Sequence, residues 1–271
     1  MGNLIKTDLI RVLKDKLFLV LCILCVVFAF VTPLLYKGIM ALEPMVGELL
    51  GENMTSPVGQ FFSAFSLGNN FGPIAPILIV LILCKDFSHG TIRNKIISGH
   101  SRLTIMAAMY CVCAIVVVAL IFIHAILTLL LSLALFPEAK SNVDAMYLVQ
   151  SLAFELLTYL FIAAFLTWMW AAMKNTGLVI VIYVAAVFGF TLVASVVMVA
   201  EQALMYSGKN EILLKVLQIL QNCNLFYSSS FIGIGTEYSN REILCYLLSP
   251  AIFGGGLVTL GFLSFRKRDL K

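Results

Sequence analysis

The chain alternates between long apolar runs and short polar segments, and the apolar runs have the length of membrane-spanning helices. Leu17–Tyr36 is the first, about 20 residues and so about 30 Å of helix. Phe61–Cys84 is the second, with its most apolar part from Ile74 onward. Asn69, Asn70, Gly72, Pro73 and Pro76 interrupt its first part, a break tolerated only near an interface or inside protein. Leu103–Phe136 is the third. At 34 residues it reaches about 50 Å and must project, tilt or break. Ala145–Met173, Leu178–Ala200 and Leu247–Phe265 complete six spans. Trp168 and Trp170 suit an interfacial aromatic belt. Gly254–Gly256 suit close helix packing.

Two further stretches carry helical amphipathicity without the length to span. Over residues 1–16, Leu4, Ile5, Leu9, Val12 and Leu13 form an apolar stripe. Lys6, Asp8, Arg11, Lys14 and Asp15 lie mostly off it. This predicts a helix lying in the headgroup region, and no cleavage pattern marks it as a removable signal. In the segment 201–246, Ile212, Leu213, Val216, Leu217 and Leu220 form an apolar face. It predicts a surface or re-entrant helix between the fifth and sixth spans, followed by an irregular return through Asn222–Gly235.

Residues 85–102, between the second and third spans, are the most polar long segment. Gly90 supplies a turn, Ser88 or Thr91 can cap a short helix, and Gly99 sits at its C-terminal cap. Ser101 then caps the next long helix. Ile92, Ile96 and Ile97 fall on one face of the short helix, with Arg93, Asn94 and Lys95 elsewhere.

Composition agrees with the pattern. The 271 residues are 61% hydrophobic and 12% charged, with a mean hydropathy of +1.03, which excludes an ordinary soluble domain. The short alternating segments of a membrane β-barrel are absent from the sequence. The expected class is an all-α integral membrane protein of one domain, residues 1–271. Thirteen of the 18 Lys and Arg residues fall before the first span, at 85–102, at Lys174 and after the sixth span. That asymmetry puts both termini and the 85–102 segment in the cytoplasm. The net charge of +4 follows from topology and calls for no nucleic-acid partner.

Chemistry is sparse. The sequence has no phosphate-binding loop and no HExxH, so neither ATP hydrolysis, a metal site nor a cofactor is expected on this chain. His89, His100 and His124 are scattered and read as structural or surface residues. Cys22 and Cys25 read as packing residues, while Cys223 and Cys245 share one external segment in which a disulfide is one option. Glu155 is the one carboxylate inside a span. It is either a helix contact, partly hydrated or else protonated and hydrogen-bonded, or part of a translocation path.

The sequence Phe87–Arg102, placed after the second of six spans, resembles the cytoplasmic loop of type-2 ATP-binding-cassette exporter permeases. It is most similar to the short permeases of Gram-positive bacteriocin and bacitracin self-protection systems. Asp86, Gly90, Thr91 and Arg93 match the acidic residue and the Gly-Thr-x-basic core of that loop, with Asp where Glu is common. The resemblance implies a bacterial cell membrane and a docking surface for a separate ATPase subunit. That surface would be built from Asp86, Gly90, Thr91, Arg93, Lys95 and Arg102, with Lys6, Arg11 and Lys14 on the lipid-facing N-terminal helix. It also implies a second permease chain and ATP bound only on the partner. Two other readings stand beside it: an ion-coupled secondary transporter using Glu155, and a membrane sensor or scaffold without transport.

Overall fold

A computed structural model describes residues 1–42, 56–68, 71–88, 90–137, 144–173, 175–207, 210–233 and 237–267. The described residues form helices and turns, without a strand: α1 (Gly2–Leu13), α2 (Lys16–Leu42), α3 (Pro57–Ser63), α4 (Ile74–Ser88), α5 (Thr91–Ile97), α6 (Arg102–Leu135), α7 (Ala145–Ala172), α8 (Thr176–Ser207), α9 (Glu211–Cys223), α10 (Leu225–Ser228) and α11 (Asn240–Lys267). Five of them, α2, α6, α7, α8 and α11, are long and apolar enough to cross a membrane. The bent pair α4–α5 makes a sixth if it counts as one span. The protein is therefore an all-α, multi-pass membrane protein.

In lipid a helix satisfies its own backbone polar groups, which is why these runs settle as helices. α6 is the central one. It runs unbroken for 34 residues, opens on Ser101, whose Oγ accepts the Thr104 N–H at 3.1 Å, and packs on α1, α2, α3, α4, α7 and α11. α3 lies near its last turns. Ser132 Oγ donates to Gln60 Oε1 at 2.6 Å there.

The expected second span, Phe61–Cys84, is not one helix. α3 opens on Ser56, with Pro57 in its first turn, and stops at Ser63. α4 begins only at Ile74 and is about 22 Å long, short of a bilayer core. Of the described residues between them, Phe65, Leu67 and Phe71 are buried. The Ser66 carbonyl occupies the space that a side chain on Gly72 would need, 1.9 Å from an ideal Cβ, so only glycine closes this turn. Buried non-helical backbone of this kind fits the rule that such segments survive at membrane depth only within protein.

Other expectations shift as well. α8 and α11 are longer than the runs that predict them, starting or ending one to two turns outside. Trp170 is fully buried and donates to the Leu83 carbonyl at 3.0 Å, so it is not a belt residue. Of the triple glycine, Gly254 lies against the Phe161 backbone, whereas Gly255 and Gly256 meet no neighbour. The tightest glycine contact between α11 and the rest of the bundle is at Gly261, where an added Cβ would stand 2.6 Å from Met106 Cε and 3.3 Å from Trp168 Cα. Gly261→Leu is expected to lower stability by about 2 kcal/mol through overpacking. Thermal unfolding in detergent checks this, with Gly255→Leu as the neutral control.

Candidate functional site

The polar island folds into a compact clamp at one end of the bundle. α4 and α5 meet at 55° across Gly90, whose φ of +65° is the left-handed conformation that the turn needs. Gly99, also left-handed, ends α5: its N–H bonds the Ile96 carbonyl, and the next N–H, of His100, bonds that of Lys95. Among the described residues the N-terminal end of α5 has no side-chain cap, and the Ser88 side chain, the other expected cap, lies outside them. Thr91, expected as a cap, instead turns its hydroxyl back to Asp86, 2.9 Å from the carbonyl oxygen and 3.1 Å from Oδ1.

Asp86 is the hub. It is 2% exposed and receives Arg11 from α1 through two guanidinium nitrogens, Nη2 at 2.8 Å and Nη1 on the other oxygen. Lys95 reaches back from α5 to Asp8 at 2.8 Å and stands 3.6 Å from Asp86. Arg11 and Asp8 are 3.6 Å apart. Two acids and two bases thus close a four-membered ion cluster joining α1, α4 and α5. A second bridge, Lys85 to Asp15 at 2.6 Å, ties α4 to the α1–α2 turn. Arg102, at the start of α6, donates to the carbonyl oxygens of Phe265 and Arg266 at the end of α11. A cation is well placed at such a helix C-terminus.

This placement divides the candidate residues. Asp86, Thr91, Lys95 and Arg11 are engaged internally and hold the clamp together. Arg93 is exposed, with Asn94 and Ile97 beside it, and Ile97 is 74% exposed. Lys6 on α1 and Lys14 at its C-terminal cap are exposed. The expected isoleucine face of α5 therefore splits: Ile92 and Ile96 pack inward with Lys95, and Ile97 points out. Asp8, expected off the apolar stripe, shares one buried stripe with Leu4 and Val12, four residues to either side. A carboxylate on such a stripe signals a buried cation, and Lys95 is that cation.

A second polar constellation lies deep in the bundle, at the opposite end from the clamp. Tyr147, Ser151, Glu155 and Tyr159 follow one another at i, i+4 along α7 and are all buried. They face two irregular segments. Tyr159 donates to the Phe65 carbonyl, in the turns after α3, at 2.7 Å. Ser151 Oγ and the Tyr238 hydroxyl are 2.7 Å apart, and the Gly233 N–H donates to Tyr238 at 2.9 Å. Burial pushes the Tyr238 phenol above its ordinary range, so the hydroxyl keeps its proton. The segments also join each other: Ser66 Oγ lies 2.7 Å from Ser230 Oγ, and the Leu67 N–H donates to Ser229 Oγ at 3.1 Å. The irregular return expected after Asn222 is thus a packed element.

Glu155 sits between these two anchored positions. It is 0% exposed, and neither carboxyl oxygen has a hydrogen-bond partner among the described residues. The expected hydrogen-bonded helix contact is not made by those residues. His124, by contrast, is held on the Cys25 carbonyl at 3.1 Å, a structural role. All seven cysteines are unbridged, Cys223 and Cys245 included.

A family of proteins of unknown function, DUF2705, matches residues 49–271. No curated protein matches the chain.

Proposed function

The chain belongs to the DUF2705 family of proteins of unknown function, and we propose that it is the permease subunit of an ATP-driven exporter in a bacterial cell membrane. In this reading it has six spans, counting α4–α5 as one, with both termini and the clamp in the cytoplasm. α1 lies along the inner membrane surface and α9 along the outer one. The apolar residues of α9, including Ile212 and Leu220, are exposed and suit lipid contact. The partner is a separate ATPase, and a second permease chain completes the path. ATP binds the partner alone, and the cargo is an amphipathic or lipid-linked molecule such as an antimicrobial peptide.

The observation that carries the reading is the clamp. α5 is short, fixed by its own C-cap, and welded to α1 and α4 by buried charge, yet it presents Arg93, Asn94 and Ile97 outward. A rigid element with one exposed face can receive a push and pass it to α4 and α6 without absorbing it. Arg93 and Ile97 make the contact, while Asp86, Arg11 and Lys95 make the lever stiff. A tagged chain isolated from its native membrane is expected to carry an ATP-binding-cassette subunit. The Arg93→Glu, Ile97→Glu double variant is expected to lose at least 90% of it (on the order of a tenfold drop) while folding normally. Retention of the ATPase by that variant would sink the docking assignment.

The lone Glu155 favours one competing reading, ion-coupled transport by this chain alone. That reading requires gradient-driven flux in liposomes holding no ATPase.

A further inference from the structure

The surroundings of Glu155 have a chemistry of their own. Against the outer half of α7 four aromatic rings form one cluster: Tyr147 stacks on Tyr238 at 4.5 Å, Phe154 meets Tyr238 edge-on at 5.2 Å and Tyr246 at 5.5 Å, and Tyr238 and Tyr246 stand perpendicular at 5.9 Å. Glu155 follows Phe154 in the chain and lies one helical turn from Ser151, whose hydroxyl touches Tyr238. Tyr246 is also one wall of an open cavity of about 650 Å³ formed by α8, α9, α10 and α11, whose rim carries Glu201, Glu242 and Arg241. Tyr246 thus belongs both to the aromatic cluster and to the wall of the cavity.

We propose that Glu155 and the Tyr147–Phe154–Tyr238–Tyr246 cluster form a binding site for an ammonium group, reached from this cavity when Tyr246 swings aside. A carboxylate beside several aromatic faces is the chemistry that recognises an alkylammonium ion, by charge and by cation–π attraction. It also explains a carboxyl buried without a partner, which is costly unless another state supplies one. Metal chelation is a poorer match, because no group of three His, Cys, Asp or Glu side chains gathers among the described residues. Tyr238 is held in the cluster by its hydrogen bonds with Ser151 and with the Gly233 N–H. That the ammonium belongs to a transported cargo rests on the exporter reading. The binding itself does not.

The test uses the full-length chain in nanodiscs, with neither ATPase nor ATP, so that it is independent of the exporter reading. A hydrophobic carbodiimide is added and the modified carboxyls are located by peptide mass mapping. Glu155 is expected to be labelled, and n-butylammonium is expected to slow that labelling about tenfold, while n-butanol and potassium at the same concentration leave it unchanged. Tyr246→Leu is expected to abolish the protection and Tyr246→Phe, which keeps the ring, to retain it. The same assay with a lysine-containing tripeptide and with short-chain phosphatidylethanolamine tells a peptide source of the ammonium from a lipid one. Absence of labelling at Glu155 overturns the proposal, because the site must open. Labelling that n-butylammonium slows no more than potassium does overturns it equally, and mass mapping of the unsubstituted chain gives that answer even if a variant fails to fold.

Discussion

Asp86→Asn is expected to destabilise the protein by about 3 kcal/mol, the cost of leaving buried cations without their counter-charge. Asp86 is almost wholly enclosed and faces both Arg11 and Lys95. Without it, those two share the single carboxylate of Asp8. Lys95, 11% exposed, has little water to turn to. Arg11, one-third exposed, has more and carries less of the penalty. The loss should be local as well as global: α1 is held to α4 and α5 chiefly through this cluster, so amide exchange over Gly2–Leu13 should accelerate before the spanning helices respond. The double variant Asp86→Asn, Lys95→Met removes one charge of each sign and leaves Asp8 with Arg11. It should recover part of the loss, a positive coupling measurable by a double-mutant cycle. Thermal unfolding and hydrogen exchange in detergent check both statements. A change within about 0.5 kcal/mol for the single variant, the size of an ordinary surface substitution, would mean that the cluster does not hold the clamp.

Glu155→Leu is expected to move stability and function in opposite directions. The carboxyl is buried with both oxygens unpartnered among the described residues, which costs about 1–3 kcal/mol relative to a fitting apolar side chain. Leucine removes that cost, so the melting temperature should rise. If Glu155 takes part in moving cargo, the same substitution should abolish transport or resistance in cells. Stabilisation with loss of activity is the mark of a side chain kept for function. A destabilised but active variant would show instead that Glu155 is a packing element, with a partner outside the described residues.

The large features of the fold are legible in the sequence because each has a local cause. About twenty apolar residues must form a helix in lipid, and the runs at Leu17, Leu103, Ala145, Leu178 and Leu247 each do so. Ser101 and Gly99 act as caps because capping depends on neighbours three to five residues away. The broken second span is half legible. Gly72, Pro73 and Pro76 announce a break, but the local sequence does not say that the turn folds inward onto Ser229 and Ser230. The clamp is harder still. Arg11 and Asp86 are 75 residues apart, and Asp8 and Lys95 are 87 apart. Nothing in the periodicity of either segment announces its partner, so Lys95 and Asp86 read as surface charge until the helices are brought together. The same distance hides the aromatic cluster, whose members come from α7, α11 and the return after α10.

The central claim, that the exposed face of α5 receives an ATPase subunit, is tested most directly by photo-crosslinking in the native membrane. A photoreactive amino acid is placed at Ile97, on the outward face of α5, and separately at Tyr206, 94% exposed near the end of α8 away from the clamp. The account predicts an ATP-binding-cassette subunit crosslinked at position 97 and none at position 206. No ATPase at position 97, or equal capture at both positions, would contradict it.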